Sequence, residues 1–246
     1  SLDGSMEISS FGYNKLYNTN INEKILVNNL SYKSQDSIKN SGLINNYEFL
    51  FKNFNADSKH SSNFKNRSEN NIRGIFQFNS KFPLQKNSKN YFSTLTPIFV
   101  AKFNPQSNKN INNEERLIDY SNIYSIDRLS SSTTLEGGES ITIGNEFKLF
   151  NNIDKSSELF SLNLAGSFRV DENFDLPKSS YISQKTSNLV GQSKIKLNEF
   201  LDLEYDFLSD NNLGQFHYHN INSKIKINNF VSTFEFIEEG DQIGNT

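Results

Sequence analysis

At 246 residues, with 35% hydrophobic and 13% aromatic side chains and a mean hydropathy of −0.63, the chain is too polar for a bundle of membrane helices and too aromatic for a disordered segment; it can bury a core as one large β domain or two average ones. A formal net charge of −3 and an isoelectric point near 5.7 leave no basic excess for nucleic acid. The absence of cysteine excludes disulfides, thiolate nucleophiles and cysteine-ligated metals, and no run approaches the ~18 apolar residues of a transmembrane helix.

The first residues, Ser1-Leu2-Asp3-Gly4-Ser5, have neither the basic nor the apolar region of a signal peptide, and the chain then reads as a strand from about 5 to 16. From there, segments of about ten residues carry apolar side chains at every second position, which is strand geometry, because successive side chains point to opposite faces. Tyr47, Phe49 and Phe51 alternate with Glu48, Leu50 and Lys52; Ile72, Gly74, Phe76 and Phe78 alternate with Arg73, Ile75, Gln77 and Asn79. Further rows are Leu95, Pro97, Phe99, Ala101 and Phe103, then Ile141, Ile143, Phe147 and Leu149, then Phe160, Leu162, Leu164, Phe168 and Val170. Leu201, Leu203, Tyr205 and Phe207 face away from Asp202, Glu204 and Asp206. About eleven such segments are present and no helix of three turns is expected.

The polar breaks are ordered. Long ones follow the third, fifth and seventh segments, near 56 to 70, 105 to 138 and 171 to 186; short ones follow the sixth, eighth and tenth, near 151 to 157, 198 to 200 and 228 to 229. An up-and-down outer-membrane barrel sorts its loops this way, long outside and short on the periplasmic side, whereas a soluble sandwich has no reason to. Lys194-Ile195-Lys196-Leu197-Asn198-Glu199-Phe200 recurs as Lys224-Ile225-Lys226-Ile227-Asn228-Asn229-Phe230. Each copy reads as strand, turn, strand. Matching the faces predicts a three-residue turn at Asn198-Glu199-Phe200 and a two-residue turn at Asn228-Asn229. Lys196 then stands opposite Asp202 and Lys194 opposite Glu204, on the lumen face with Asp206.

Asp119-Tyr120-Ser121-Asn122-Ile123-Tyr124-Ser125-Ile126-Asp127-Arg128-Leu129-Ser130, followed by Leu135-Glu136-Gly137-Gly138, resembles a loop of the LPS-assembly outer-membrane family (LptD/OstA), in its alphaproteobacterial form. Asn122, Ser125, Arg128, Ser130, Glu136, Gly137 and Gly138 match that pattern, Leu129 stands in place of Phe, and Ser131-Ser132-Thr133-Thr134 occupies a Gly-x-Asp-Arg run. Lys81-Phe82-Pro83-Leu84, Leu95-Thr96-Pro97, Gly191-Gln192 and the 201 to 207 strand are similar to flanking segments. The resemblance implies a barrel of about 26 strands in the Gram-negative outer membrane. Such a barrel inserts lipopolysaccharide into the outer leaflet, with a plug lipoprotein, periplasmic bridge components and outer-membrane lipid as partners.

The expected architecture is therefore all-β: an antiparallel up-and-down transmembrane barrel, present over 1–246 as an open, curved section of about eleven strands whose first and last do not pair. The family's N-terminal periplasmic domain is not recognisable, and the end at Glu239-Gly240-Asp241-Gln242-Ile243-Gly244-Asn245-Thr246 lacks a terminal aromatic strand, so an incomplete unit is expected. The alternatives are a different outer-membrane barrel, such as a porin or uptake receptor, or a soluble β-sandwich or adhesin. No catalytic residue, metal or cofactor is expected. His217 and His219, at i and i+2, would share a strand face but lack a third ligand pattern. His60 falls in a polar loop, no nucleophile elbow places a serine, and Asp202, Glu204 and Asp206 read as a solvated face. Pro83 and Pro97 each remove a ladder donor and are expected at a strand end or bulge. The 105 to 138 loop carries Ile118, Ile123, Tyr124, Ile126 and Leu129 as anchors that would fold it over or into the lumen, and Glu136-Gly137-Gly138 would turn it back into a strand.

Overall fold

The computed structural model describes residues 3–17, 20–152 and 157–240. They form one antiparallel sheet whose main path takes eleven strands in chain order. These are β1 (Gly4–Leu16), β2 (Asn22–Ser34), β4 (Ile44–Lys59), β5 (Ser68–Lys81), β7 (Tyr91–Asn104), β8 (Gly138–Asn151), β9 (Glu158–Arg169), β10 (Leu189–Lys196), β11 (Leu201–Ser209), β12 (Phe216–Ile227) and β13 (Phe230–Glu239). Two short strands, β3 (Ser37–Ile38) and β6 (Leu84–Asn87), extend neighbouring hairpins by pairing with β4 and β7. β1 and β13 are not paired with each other, so the sheet is open, and no second sheet packs on it among the described residues. A sandwich is thereby excluded. Residues 1–2, 18–19, 153–156 and 241–246 lie outside the described residues, and with them part of the expected short turn near 151 to 157 and the final segment.

The expected alternation by length holds for the two longest connections, 105–137 and 170–188, but not throughout, because 210–215 at the same end is short and 60–67 is no longer than 35–43 or 82–90 at the other end. Residues 60–67, 105–137 and 170–188 leave the ends of β4, β7 and β9, while 197–200 and 228–229 join β10 to β11 and β12 to β13 at the other end. Leu197 N–H donates to Leu201 at 3.0 Å, which makes 198–200 the three-residue turn, and Lys196 faces Asp202 with Lys194 facing Glu204. The second turn holds two residues between Ile227 and Phe230, with Asn228 at φ 53°, the left-handed conformation that asparagine tolerates.

Pro97 lies inside β7, not at a strand end or bulge as expected, and stands opposite the Phe82–Pro83 interruption between β5 and β6. Lys81 pairs with Ile98 and Leu84 with Leu95, so the register is unchanged across the break, and Phe82 N–H still donates to the Pro97 carbonyl at 3.1 Å. The donors that proline lacks therefore fall where the ladder pauses.

Continuous register sorts every side chain to one of two faces. The first face carries Phe51, Ile72, Phe99, Phe103, Ile141, Ile143, Phe168, Ile195, Ile221, Phe234 and Phe236, all exposed. The second, inner face carries Lys52, Gln77, Lys102, Ser140, Thr142, Ser161, Asn163, Ser167 and Arg169, all buried although they are polar, among buried Val27, Leu50, Phe54, Ile75, Val100, Val190 and Leu208. A water-soluble protein does not leave so continuous a row of large apolar side chains exposed while burying charges. The exposed apolar face is too extensive for an aqueous surface and is what a lipid-facing wall requires.

Candidate functional site

The inner face is buried because two long loops lie on it. Ile111, Ile118, Ile123 and Leu129 from 105–137 join Leu176 and Ile182 from 170–188, and together they pack on Ala165, Val190 and Leu208 of the sheet. Each apolar side chain removed from water in this way contributes about 1.5 to 3 kcal/mol, which fixes loops whose one regular element among the described residues is a 3-10 turn at Lys178–Ser180. Leu135 and the half-buried Ile126 anchor separately on Leu50 and Ile75. The loops are also tied to each other: Ile111 N–H donates to Asp175 at 2.8 Å, Arg116 N–H to the Ser179 hydroxyl at 2.9 Å, and the Asn173 amide to Asn108 at 2.6 Å.

Polar prongs from the strands hold the backbone of the first loop. Gln77 donates to the Tyr124 carbonyl at 2.9 Å, Lys102 to the Ser125 carbonyl, and Lys52 to the Ser131 carbonyl and, at 3.1 Å, to the Asp127 carboxylate. Loop carbonyls, which would otherwise be buried without partners, are thus satisfied by the sheet. Tyr120 reaches Glu146 at 3.0 Å and meets Tyr124 edge-on with ring centroids 5.6 Å apart. Gly144 admits this pair: a Cβ there would come within 1.9 Å of the Tyr124 hydroxyl.

At the re-entry point Arg128 donates two hydrogen bonds to Glu136, at 2.5 and 2.7 Å, and a further one to Ser167 at 3.0 Å. Arg169 of β9 binds the same carboxylate and the Gly137 carbonyl. Burial pushes the Glu136 carboxyl up, but the Arg128 guanidinium and its hydrogen bonds, with Lys102 and Arg169, outweigh it and hold the group at about 2. Gly138 opens β8 at φ +89°, with the Arg169 guanidinium where a Cβ would stand.

Of the residues singled out in the sequence, Arg128, Glu136, Gly137 and Gly138 come together in this knot. Asn122 closes a local turn by donating to Leu117 at 3.0 Å, Ser125 offers its carbonyl to Lys102, and exposed Ser130 takes a left-handed turn position at φ 48°. Lys194, Lys196, Asp202, Glu204 and Asp206 stand away from the loop knot, on the inner side of β10 and β11. Lys194 ion-pairs with Glu204 at 2.9 Å, and Gln192 donates to Glu204 and Asp206 at 3.0 and 2.9 Å. Lys196 is opposite Asp202 in register, but Asp202 pairs instead with Lys226 at 2.7 Å while Lys196 reaches Ser157 at 3.3 Å.

One expectation is corrected. His217 and His219 do not act together, because a register shift between Leu208 and Ser209 breaks the alternation on which a shared face depends. His217 stacks on Tyr181 of the 170–188 loop, with centroids 4.7 Å apart, whereas His219 bonds Tyr205 at 2.7 Å and stacks on Phe216. Arg169, Lys52, Lys102 and Gln77 were not singled out in the sequence as residues that hold the loop. Their signal was present as charged or amide side chains on the alternate positions of otherwise apolar strands.

The model of one protein family, described as LptD: LPS transport system D, matches residues 29–239. No curated protein matches the chain.

Proposed function

Because the chain belongs to the family described as LptD, LPS transport system D, we propose that it forms part of the wall of an outer-membrane barrel that delivers lipopolysaccharide to the outer leaflet. The observation that carries this reading is the division of one sheet into an exposed apolar face and an inner face where amides, hydroxyls and charges are set among buried apolar side chains. Lipid covers the first face, where the strands between the two open edges pair their backbone groups in the ladder, as hydrocarbon demands. The second face gives a sugar and phosphate cargo polar partners while its acyl chains leave laterally into lipid. Residues 1–246 are then a partial barrel domain, its strands forming wall and its long loops lying on the outer side, with no bond-making chemistry.

The docked loops narrow the lumen from β4 to the near ends of β11 and β12, and the ladder of Lys194, Gln192, Glu204, Asp206, Asp202 and Lys226 lines the part beside them. A lipoprotein plug and a periplasmic bridge are the partners this reading calls for. The test is depletion of the protein from its native cell, followed by measurement of lipopolysaccharide on the surface with an impermeant probe. Loss of surface lipopolysaccharide with accumulation inside supports the reading. Unchanged surface display, with altered uptake of small solutes, points to a porin-like barrel instead.

A further inference from the structure

At the long-loop end of the inner face a cleft of ≈ 870 Å³ opens between residues 62–65 of the first long loop, the start of β5, and Lys109, Asn110 and Thr133 of the second. Four cations line it, Lys65, Arg67, Arg73 and Lys109, with one carboxylate, Glu69. This is a local positive excess in a chain whose formal net charge is −3. Lys65 and Arg67 both turn to Glu69, at 3.8 and 3.9 Å, and neither contact is close. Arg73 donates to the Ser107 carbonyl at 3.3 Å and Lys109 lies 5.1 Å over the Phe64 ring, and neither has an ion pair among the described residues.

The remaining lining is equally particular. Asn63, Asn71, Ser62 and Thr133 supply amides and hydroxyls, and half-buried Phe64, stacked on buried Phe54 with centroids 5.9 Å apart at 28°, supplies an aromatic floor. Cations recognise phosphate, amides and hydroxyls recognise sugar hydroxyls, and an aromatic floor accepts the C–H face of a sugar ring. An inorganic ion needs neither the floor nor the amides, and a neutral sugar needs no uncompensated charge. We infer that this cleft binds a phosphorylated saccharide. The inference rests on the transport reading for its cargo, and it adds where the anionic head group is held: at the outer mouth, between the first two long loops, after it has passed the narrowed lumen.

The test is calorimetric titration of the full chain, folded in detergent micelles, with a water-soluble disaccharide bisphosphate that carries no acyl chains. Its unphosphorylated parent and inorganic phosphate are titrated beside it. The bisphosphate is expected to bind, more weakly as salt rises, and Arg73→Gln with Lys109→Gln to weaken it at least about tenfold. Lys65→Gln with Arg67→Gln provides a second variant on exposed side chains, which keeps the fold intact if the first pair disturbs it; it is expected to weaken binding less. Equal binding of the parent, equal binding of inorganic phosphate, or wild-type affinity in both double variants overturns the inference. Absence of probe binding in a protein that still sustains surface lipopolysaccharide removes the cleft and leaves the transport reading. Probe binding in a protein whose depletion leaves surface lipopolysaccharide unchanged removes the transport reading and leaves a phosphosaccharide site.

Discussion

Arg128 and Glu136, eight residues apart in one loop, meet through two hydrogen bonds at 2.5 and 2.7 Å with both side chains buried. Arg169 of β9 shares the carboxylate, so the three groups are not equivalent. Removing Arg128 leaves Glu136 with one cationic partner, whereas removing Glu136 leaves two buried guanidiniums side by side. Glu136→Ala is therefore expected to destabilise the folded protein by about 3 to 5 kcal/mol, and Arg128→Met by clearly less. Guanidinium unfolding of both variants in micelles measures the order, and an Arg128→Met cost equal to or above that of Glu136→Ala contradicts it.

Acid should release the loop late. The Glu136 carboxyl is held at about 2 against an ordinary 4.5. A carboxyl depressed by folding stabilises the fold fully above its unfolded value and loses that contribution as pH falls through its folded one. Docking is thus expected to be unaffected from neutrality to pH 4.5 and to weaken between there and pH 2. Pepsin, active across the lower part of that window, should cut within 105–137 increasingly as pH approaches 2. In Glu136→Gln the same cleavage should lose its pH dependence, and a wild-type loop cut equally at pH 4 and pH 2 contradicts the assignment.

How far the sequence foretold this arrangement depended on whether a residue's role is local. Period-two alternation is a property of neighbours, so the face of Leu203 or Glu204 could be read directly, and the turn at Asn198 followed from matching faces across it. The loop anchors Ile118, Ile123 and Leu129 were legible as apolar side chains in a polar break. Which strand residues would receive them was not, because Gln77, Lys102 and Arg169 meet the loop across 47, 23 and 33 residues of chain. The His217 and His219 reading failed for a related reason. A bulge depends on how Ser209 pairs with Phe216 on the next strand, and the local pattern does not carry that information.

Because the chain has no native cysteine, single cysteines report loop placement cleanly. Asn110 and Ser132 are exposed and Ile123 is fully buried. An impermeant maleimide added to intact cells should label Asn110→Cys and Ser132→Cys and leave Ile123→Cys unlabelled. Labelling of the first two only after the outer membrane is opened would reverse the topology.

Asn228 occupies a left-handed position at φ 53° in the two-residue turn joining β12 to β13. Glycine adopts that conformation without a Cβ penalty, while a β-branched side chain is strained by about 1 to 2 kcal/mol. Asn228→Gly should melt within about 0.5 kcal/mol of the parent, and Asn228→Val should be measurably less stable. Equal stability of the two would mean the turn relaxes into another geometry.

Ile221 and Asn222 are adjacent on β12 and point to opposite faces, Ile221 opposite Tyr205 and Phe236 in the ladder, Asn222 opposite Glu204 and Glu235. The same lysine placed at each therefore meets two different solvents. At 221 the ammonium must enter hydrocarbon, at a cost of about 2 to 4 kcal/mol near the bilayer midplane. At 222 it enters a polar face beside two carboxylates, where the change should fall within about ±0.5 kcal/mol. The comparison shares the chain position and the introduced lysine, and the loss of isoleucine's strand propensity, within about 1 kcal/mol, is smaller than the expected penalty. It should be made in lipid vesicles as well as micelles, because a detergent belt deforms around a charge more readily than a bilayer does. A large penalty for Ile221→Lys in vesicles beside a small one for Asn222→Lys is the expected result. Equal and small penalties at both positions would mean that the aromatic face does not contact lipid, and the barrel-wall reading would fall with it.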